Sequence, residues 1–331
     1  MISENDNLYA VVGLGNISGR HRNNLKSIFP SGKVACMASS NKPINYMPQD
    51  CDVLANSIKE LISLKPSFAI VASPATFHAQ HSIPFIENNI PVLIEKPIAA
   101  SIKDANLIAA SAKKYKTSVA IGYCLRYKPF LDELKDVLDM ETIGMINEVS
   151  IVCGSYLPSW RPGIDYRDSV SASAKMGGGA LLELSHEIDY ANFLINGLCL
   201  ESAIIKNSKT LDIEVEDCAD LIFTLGRGKR CKIHLDFLQK KPIRTATFKC
   251  NDGNIFWDLH KNSLHIASPY LEVNKMIDSW DSNNMYTDML IDFSSNFIHD
   301  QESKLCNVSE ALNVLTFIEE ARQLGEIDLN E

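Results

Sequence analysis

Between residues 8 and 122, five short apolar runs alternate with amphipathic stretches, and no other feature restricts the fold as much. The runs are residues 8–12, 33–38 (KVACMA), 67–72 (SFAIVA), 91–94 (PVLI) and 117–122 (TSVAIG). Helical patterns fill 19–29, 52–64, 76–88 and 101–115. A strand that is apolar throughout is buried on both faces, so this alternation predicts an α/β unit with a parallel, doubly wound sheet.

The pattern changes after Arg126. A helical stretch at 127–138 precedes a partly alternating strand at 146–154 and a loop at 155–179 rich in Pro, Gly, Ser and Arg. A single helix is expected over 180–195. Six strand-like segments then follow with no long helix among them: ESAIIKN, EDCADLIFTL, RCKIHLDF, RTATFKC, GNIFWDL and NSLHIA. Such a run predicts a mixed or antiparallel sheet. Helices are expected at 285–299 and 309–323. With 331 residues the chain exceeds one compact core. The reading is therefore a Rossmann domain over 1–125 and a C-terminal α+β domain over 126–331.

Gly13-Leu14-Gly15 stands directly after the first strand and opens a helix, the context a dinucleotide fingerprint needs. The first Gly permits the tight turn, and the second lets backbone approach a pyrophosphate. The helix start at Asn16 and Ile17 offers N–H donors and the positive end of the dipole. Ser18 replaces the third Gly, and the next Gly is residue 19. After the second strand NAD binding asks for a carboxylate. This chain offers Ser39, Ser40, Asn41 and Lys42, with no acid before Asp50. Hydroxyls with a lysine lean toward the 2′-phosphate of NADP, so the expected cofactor is NAD or NADP with that lean.

Further motifs follow the third and fourth strands, at the edge where doubly wound sheets bind ligands. They are Ser73-Pro74-Ala75-Thr76-Phe77-His78 and Glu95-Lys96-Pro97. Farther on, Gly177-Gly178-Gly179 precedes Glu183, His186 and Asp189, whose spacing of three puts them on one face of the expected helix. Oxidising a carbinol needs a base for the hydroxyl proton, which a histidine suits. A lysine ammonium stabilises the developing alkoxide. The segment 157–167 is the substrate candidate: Trp160 gives an aromatic face, Arg161 and Arg167 two guanidinium forks, and Tyr166 a hydroxyl. That set suits a polyol carrying a carboxylate or phosphate. Arg126 and Tyr127, at the domain junction, are candidates for cofactor and substrate contact.

The segments GLGNISGRH, ASPATFH, PVLIEKPIA, GYCLRYKP and GGGALLELSHEID, in that order, resemble the glucose–fructose oxidoreductase/inositol dehydrogenase (Gfo/Idh/MocA) family. The resemblance covers nearly the whole chain. It implies a Rossmann domain followed by an open-faced sheet whose exposed face forms an oligomer interface, here a homodimer or homotetramer. It also implies hydride transfer between NAD(P) and a sugar, inositol or nucleotide-sugar carbinol. On this resemblance Lys96 matches the catalytic lysine, His186 the acid/base histidine, and His78 lies by the cofactor. The family usually has an Asp four residues before that histidine. Here Leu182 has that spacing and Glu183 lies one residue nearer, which leaves open whether Glu183 takes the carboxylate role. Two other readings share the scaffold: an NAD(P)-binding sensor without turnover, and a reductase of a non-sugar substrate such as an imine.

Lys and Arg total 32 against 41 Asp and Glu, a net charge of −9, which disfavours nucleic acid as a partner. The nine cysteines form no Cys-x-x-Cys pair, so neither a disulfide framework nor a zinc site is suggested. His78 and His81 lack a third ligand, so no metal is expected. The polar start and the absence of a long apolar run give the expectation of a soluble cytoplasmic protein without membrane contact.

Overall fold

The computed structural model describes residues 7–40, 46–195 and 197–327. Two compact units form: residues up to Cys124 with Ser282–Leu315, and Leu125–Asp281 with residues from Thr316 onward.

The first unit opens with β1 (Leu8–Val12), α1 (Asn16–Ile28), β2 (Lys33–Met37), β3 (Val53–Leu54), α2 (Ile58–Ser63) and β4 (Phe68–Val71). It continues with α3 (His78–Glu87), β5 (Val92–Ile94), α4 (Ile102–Tyr115) and β6 (Val119–Ile121). These six strands lie in the order β3-β2-β1-β4-β5-β6. All pair in parallel. Every residue of β4, β5 and β6 is buried, as a sheet covered on both faces requires. The order reverses direction between β1 and β4, the switch point outside which such sheets take their ligands. The helix expected over 52–64 is instead the short strand β3 followed by α2, which Ser57 caps by accepting the Glu60 N–H. Val53 and Leu54 extend the sheet against β2, and that pairing overrides the helical pattern of the segment.

The second unit contains α5 (Leu131–Asp139), β7 (Ile146–Gly154), α6 (Ala180–Glu183) and α7 (His186–Leu194). Then come β8 (Cys199–Lys206), β9 (Cys218–Thr224), β10 (Arg230–Asp236), β11 (Ile243–Cys250), β12 (Asn254–Asp258), β13 (Ser263–Ala267) and β14 (Glu272–Met276). The chain next gives α8 (Asn284–Ser295), β15 (Cys306–Asn307), α9 (Val308–Leu324) and β16 (Glu326–Ile327). The nine-stranded sheet runs β14-β13-β12-β11-β7-β10-β9-β8-β16. It is mixed: β7 with β10 and β8 with β16 are parallel, the rest antiparallel. Alternate residues of β9 are buried, so one face of the sheet is covered and the other is not. Tyr190 of α7 packs edge-on against Trp257 of β12, and Phe317 of α9 against Phe223 of β9.

A single cut after residue 125 would place α8 with the second sheet, but α8 and β15 belong to the first unit. Phe293 of α8 packs edge-on against Phe68 of β4, and the amides of Asn24 and Asn283 bond reciprocally. β15 adds an antiparallel edge strand to β6. Among the described residues no helix is long and apolar enough to cross a membrane.

Candidate functional site

In the first unit the chain passes from β1 into α1 through Gly13, whose φ of +120° suits only glycine. A Cβ there would stand 2.6 Å from the Ala72 carbonyl oxygen and 2.5 Å from Ser18 Oγ. Ser18 is fully buried and donates to that same carbonyl at 3.0 Å. A serine therefore serves at the third fingerprint position because its hydroxyl finds a partner at the end of β4. Around Gly15 the geometry is open: a Cβ would meet nothing within 4 Å. Gly15 also caps α1 without any side-chain hydrogen bond, and no acid occupies the first turn. The Asn16 end of the helix thus keeps both its N–H donors and its positive dipole for an anion. Ile17 and Ser39 are half-buried and Ser40 is exposed. Asn41 and Lys42 lie outside the described residues.

The Glu-Lys-Pro segment is set by buried polar partners. Glu95 accepts from His21 Nε2 at 2.6 Å, and His21 is wholly buried. Burial alone would raise the Glu95 carboxyl, but the His21 hydrogen bond and the charges of His21 and Lys96 outweigh it and hold the pKa below the usual range. Lys96 itself is half-buried, one residue beyond the segment's anchor. His78 is buried, with Nδ1 2.9 Å from the Pro97 carbonyl oxygen and Nε2 2.8 Å from that of Ser73. Burial lowers its pKa against the pull of those two carbonyls. His78 thus ties the Ser73-Pro74 turn after β4 to the turn after β5, and its contacts are with backbone. His81 donates or accepts at Ser73 Oγ, and burial pushes it down to about 4.

Sequence reasoning passed over His21, Arg22 and Asp50. Arg22 donates to the Gly13 carbonyl at 3.0 Å and to Asp50 at 2.9 Å. Asp50 lies near α1, with its carboxylate 3.7 Å from where a Gly19 Cβ would be. The His of GLGNISGRH, the sixth residue of α1, was the available signal for His21. Nothing in linear spacing indicates Asp50.

In the second unit the Gly run has a packing cause. Gly179 has φ +107°, and a Cβ there would sit 2.3 Å from a Glu216 carboxylate oxygen. Glu216 accepts the Leu181 N–H at the start of α6, and burial raises its pKa. The helix expected over 180–195 is broken: α6 ends at Glu183, and α7 starts at His186. Ser185 Oγ bonds the Leu182 carbonyl at 2.9 Å, offering the backbone an alternative to a continuous ladder. Glu183 and His186 are half-buried, while Asp189 is fully buried, so the three do not share one accessible face.

Arg126 and Asp189 correct two expectations. Arg126 Nε and Nη2 donate to the two Asp189 oxygens at 3.0 and 2.7 Å, with the guanidinium 4.6 Å over the Phe193 ring. Arg126 is 1% exposed and Asp189 0%. The pair commits Arg126 away from cofactor and Asp189 away from substrate, as a buried fork–fork ion pair. Tyr127 is buried as well. Asp189→Ala leaves the guanidinium without its carboxylate and should lower unfolding stability by about 3–5 kcal/mol in urea titration. A loss below about 1 kcal/mol, the scale of a surface pair, would contradict this assignment.

The segment 157–167, expected to meet substrate, is partly assembled. Leu157, Trp160, Arg161, Ile164 and Tyr166 line one small hollow. Trp160 Nε1 donates to Ser155 Oγ at 2.9 Å, and its ring packs edge-on against Phe237. Tyr166 donates its hydroxyl hydrogen to the Leu211 carbonyl at 2.7 Å. Arg167 is bound by Asp165 at 2.6 Å, which holds that carboxyl down at about 2. Arg161 is exposed on the rim.

Comparison with known proteins gives two family matches in chain order. Residues 8–123 match the model of an oxidoreductase family with an NAD-binding Rossmann fold, and residues 131–256 match the GFO/IDH/MocA C-terminal domain. A glucose-6-phosphate 3-dehydrogenase of Bacillus subtilis is 24% identical over 173 residues, half of this chain and 49% of that protein. The rhizopine catabolism protein MocA of Rhizobium meliloti is 28% identical over 38% of this chain and 37% of its own. The chain thus spans about half or less of these relatives. Among solved structures, a levoglucosan dehydrogenase with NADH and levoglucosan has a TM-score of 0.83 at 13% identity, covering 97% of this chain and 98% of its own. At that identity the likeness establishes the fold.

Proposed function

This chain belongs to the Gfo/Idh/MocA oxidoreductase family, and on that premise we propose that it is an NAD(P)-dependent dehydrogenase or reductase acting on a CH–OH group of a sugar or sugar derivative. The observation that carries the reading is the open, uncapped start of α1 at Gly15, directly after the strand at the sheet's switch point. Asn16 and Ile17 would hold the pyrophosphate of the dinucleotide through their N–H groups. Its nicotinamide supplies the hydride chemistry when bound. The similarity to a glucose-6-phosphate 3-dehydrogenase and to a levoglucosan dehydrogenase supports a sugar-like substrate.

Lys96 stabilises the alkoxide that forms as the carbinol gives up hydride, and His186 takes the hydroxyl proton. Glu183, half-buried at the end of α6 and three residues before His186, stands in the carboxylate's place. Ser73, Pro74 and the Glu95 backbone line the cofactor's side of the first unit, with His78 fixing their turns. Ser39 and Ser40 lean toward NADP, while the Asp50 carboxylate beside α1 favours the ribose diol of NAD. The ratio of kcat/KM for the two cofactors decides between them. The chain assembles as a homodimer or homotetramer through the uncovered face of its nine-stranded sheet.

For the substrate, Arg161 is the better anion ligand, because Arg167 already holds Asp165. Arg161→Ala should raise KM for an acidic or phosphorylated sugar about tenfold, the scale of one charge-assisted hydrogen bond, and leave kcat close to wild type. A turnover panel of neutral sugars, sugar acids, sugar phosphates and nucleotide sugars tests this. An unchanged KM for every anionic substrate would remove Arg161 from recognition.

A further inference from the structure

The uncovered face of the nine-stranded sheet carries a cluster of side chains that the redox reading leaves unused. Ala219, Leu221 and Phe223 of β9, and Cys231, Ile233 and Leu235 of β10, point into the core. Strand alternation therefore puts Cys218, Asp220 and His234 on the opposite face. In the antiparallel register Asp220 stands across from His234, and Cys218 across from Asp236. The three donor atoms of Cys218, Asp220 and His234 lie within 4.8 Å of one another, and all three residues are half-buried.

We propose that Cys218, Asp220 and His234 bind a divalent transition metal of the zinc class, with Asp236 orienting the histidine. A thiolate, an imidazole and a carboxylate are the donor set that zinc and cobalt(II) prefer, whereas calcium and magnesium prefer oxygen alone. His234 Nε2 is 3.0 Å from Asp236 Oδ2, and Nδ1 is 2.7 Å from Asp220 Oδ1. Asp236 is itself nearly buried, and its other oxygen accepts the Leu238 and Gln239 N–H groups at 2.6 and 2.8 Å. This rigid carboxylate accepts the hydrogen bond from Nε2–H and so leaves Nδ1, once deprotonated, as the ligating nitrogen, the carboxylate–histidine–metal arrangement of ligated sites.

Metal–ligand bonds of about 2.0 Å to nitrogen and oxygen put those two atoms roughly 3.3 Å apart at a tetrahedral angle. Asp220 then recedes from His234 by roughly half an ångström, and the Cys218 thiol swings inward, both by side-chain rotation. The thiol proton and any proton on Nδ1 leave to solvent as the metal enters. Three protein ligands leave the fourth position to water. The ion pins β9 to β10 near the end of both strands.

The test is cobalt(II) titration of the metal-stripped full chain, read by the near-ultraviolet charge-transfer band of a cobalt thiolate. The band should saturate at one equivalent and be reversed by zinc. It should vanish in Cys218→Ser, weaken about tenfold or more in His234→Gln, and persist in Cys199→Ser, which removes the exposed cysteine. Circular dichroism of each metal-free variant matching wild type separates ligand loss from misfolding. No thiolate band in the wild type at saturating cobalt, or a band that survives in Cys218→Ser, overturns the site.

Discussion

Lys96→Met lowers kcat by about 10²- to 10³-fold while NAD(P)H still binds, because a transition-state charge loses its donor and the cofactor loses none of its own. Methionine keeps the length and apolar stem of lysine but removes the ammonium. The position matters because the segment is held from behind: Glu95 is anchored on buried His21, and the Pro97 carbonyl on buried His78. Lys96 is the half-exposed member of an otherwise buried turn. A change in kcat with little change in cofactor affinity is the signature of an interaction made in the transition state alone. If kcat stays within about twofold of wild type, below the effect of any single transition-state donor, Lys96 takes no part in the chemistry.

His186→Gln lowers kcat/KM for oxidation by about 10²- to 10⁴-fold, the usual contribution of a positioned acid/base. Glutamine keeps hydrogen-bonding capacity but cannot accept and release a proton at neutral pH. The fall of wild-type activity on the acid side should therefore disappear from the pH profile of the variant. That second readout separates a proton-transfer role from a merely structural one. A variant that retains the acid limb contradicts the role, whatever its absolute rate. The break between α6 and α7 places His186 at the first position of α7, next to a turn that Ser185 stabilises.

The motifs that carry these two proposed residues stand out in the sequence because they sit at strand and helix ends, where the hydrophobic periodicity stops. The parallel sheet was legible for a related reason: β4, β5 and β6 are apolar at every position, and only a doubly covered sheet asks for that. The companions of the site were not legible. Arg126 and Asp189 look like functional charges in one dimension, yet they lie 63 residues apart in sequence and neutralise one another in the core. Asp50 reaches the neighbourhood of α1 through Arg22, a contact no local spacing encodes. The placement of α8 was hidden for a similar reason. Its buried Met285, Met289, Leu290 and Phe293 announce an apolar face, but amphipathicity does not say which core will receive it. Short β3, β14, β15 and β16 follow from pairing with neighbouring strands rather than from their own composition.

Buried polar groups recur around the proposed chemistry: His21 with Glu95, His78 with two carbonyls, Arg126 with Asp189, and Arg244 with Glu187 at 2.7 Å. Each of these contacts lies within one unit and joins a turn or helix that carries a proposed site residue or its neighbour. Such pairs add little net stability compared with apolar replacements, but breaking one strands a buried charge. They serve the site by holding a loop in one conformation, which is what a positioned donor requires.

The most direct measurement is fluorescence titration of the purified chain with NADH and NADPH, followed by turnover of the sugar panel with whichever cofactor binds. The account predicts saturable binding of at least one of them, with hydride transfer to or from a sugar or sugar derivative. Failure of both cofactors to bind would contradict it at the root, and binding without turnover on any sugar would contradict the assigned chemistry.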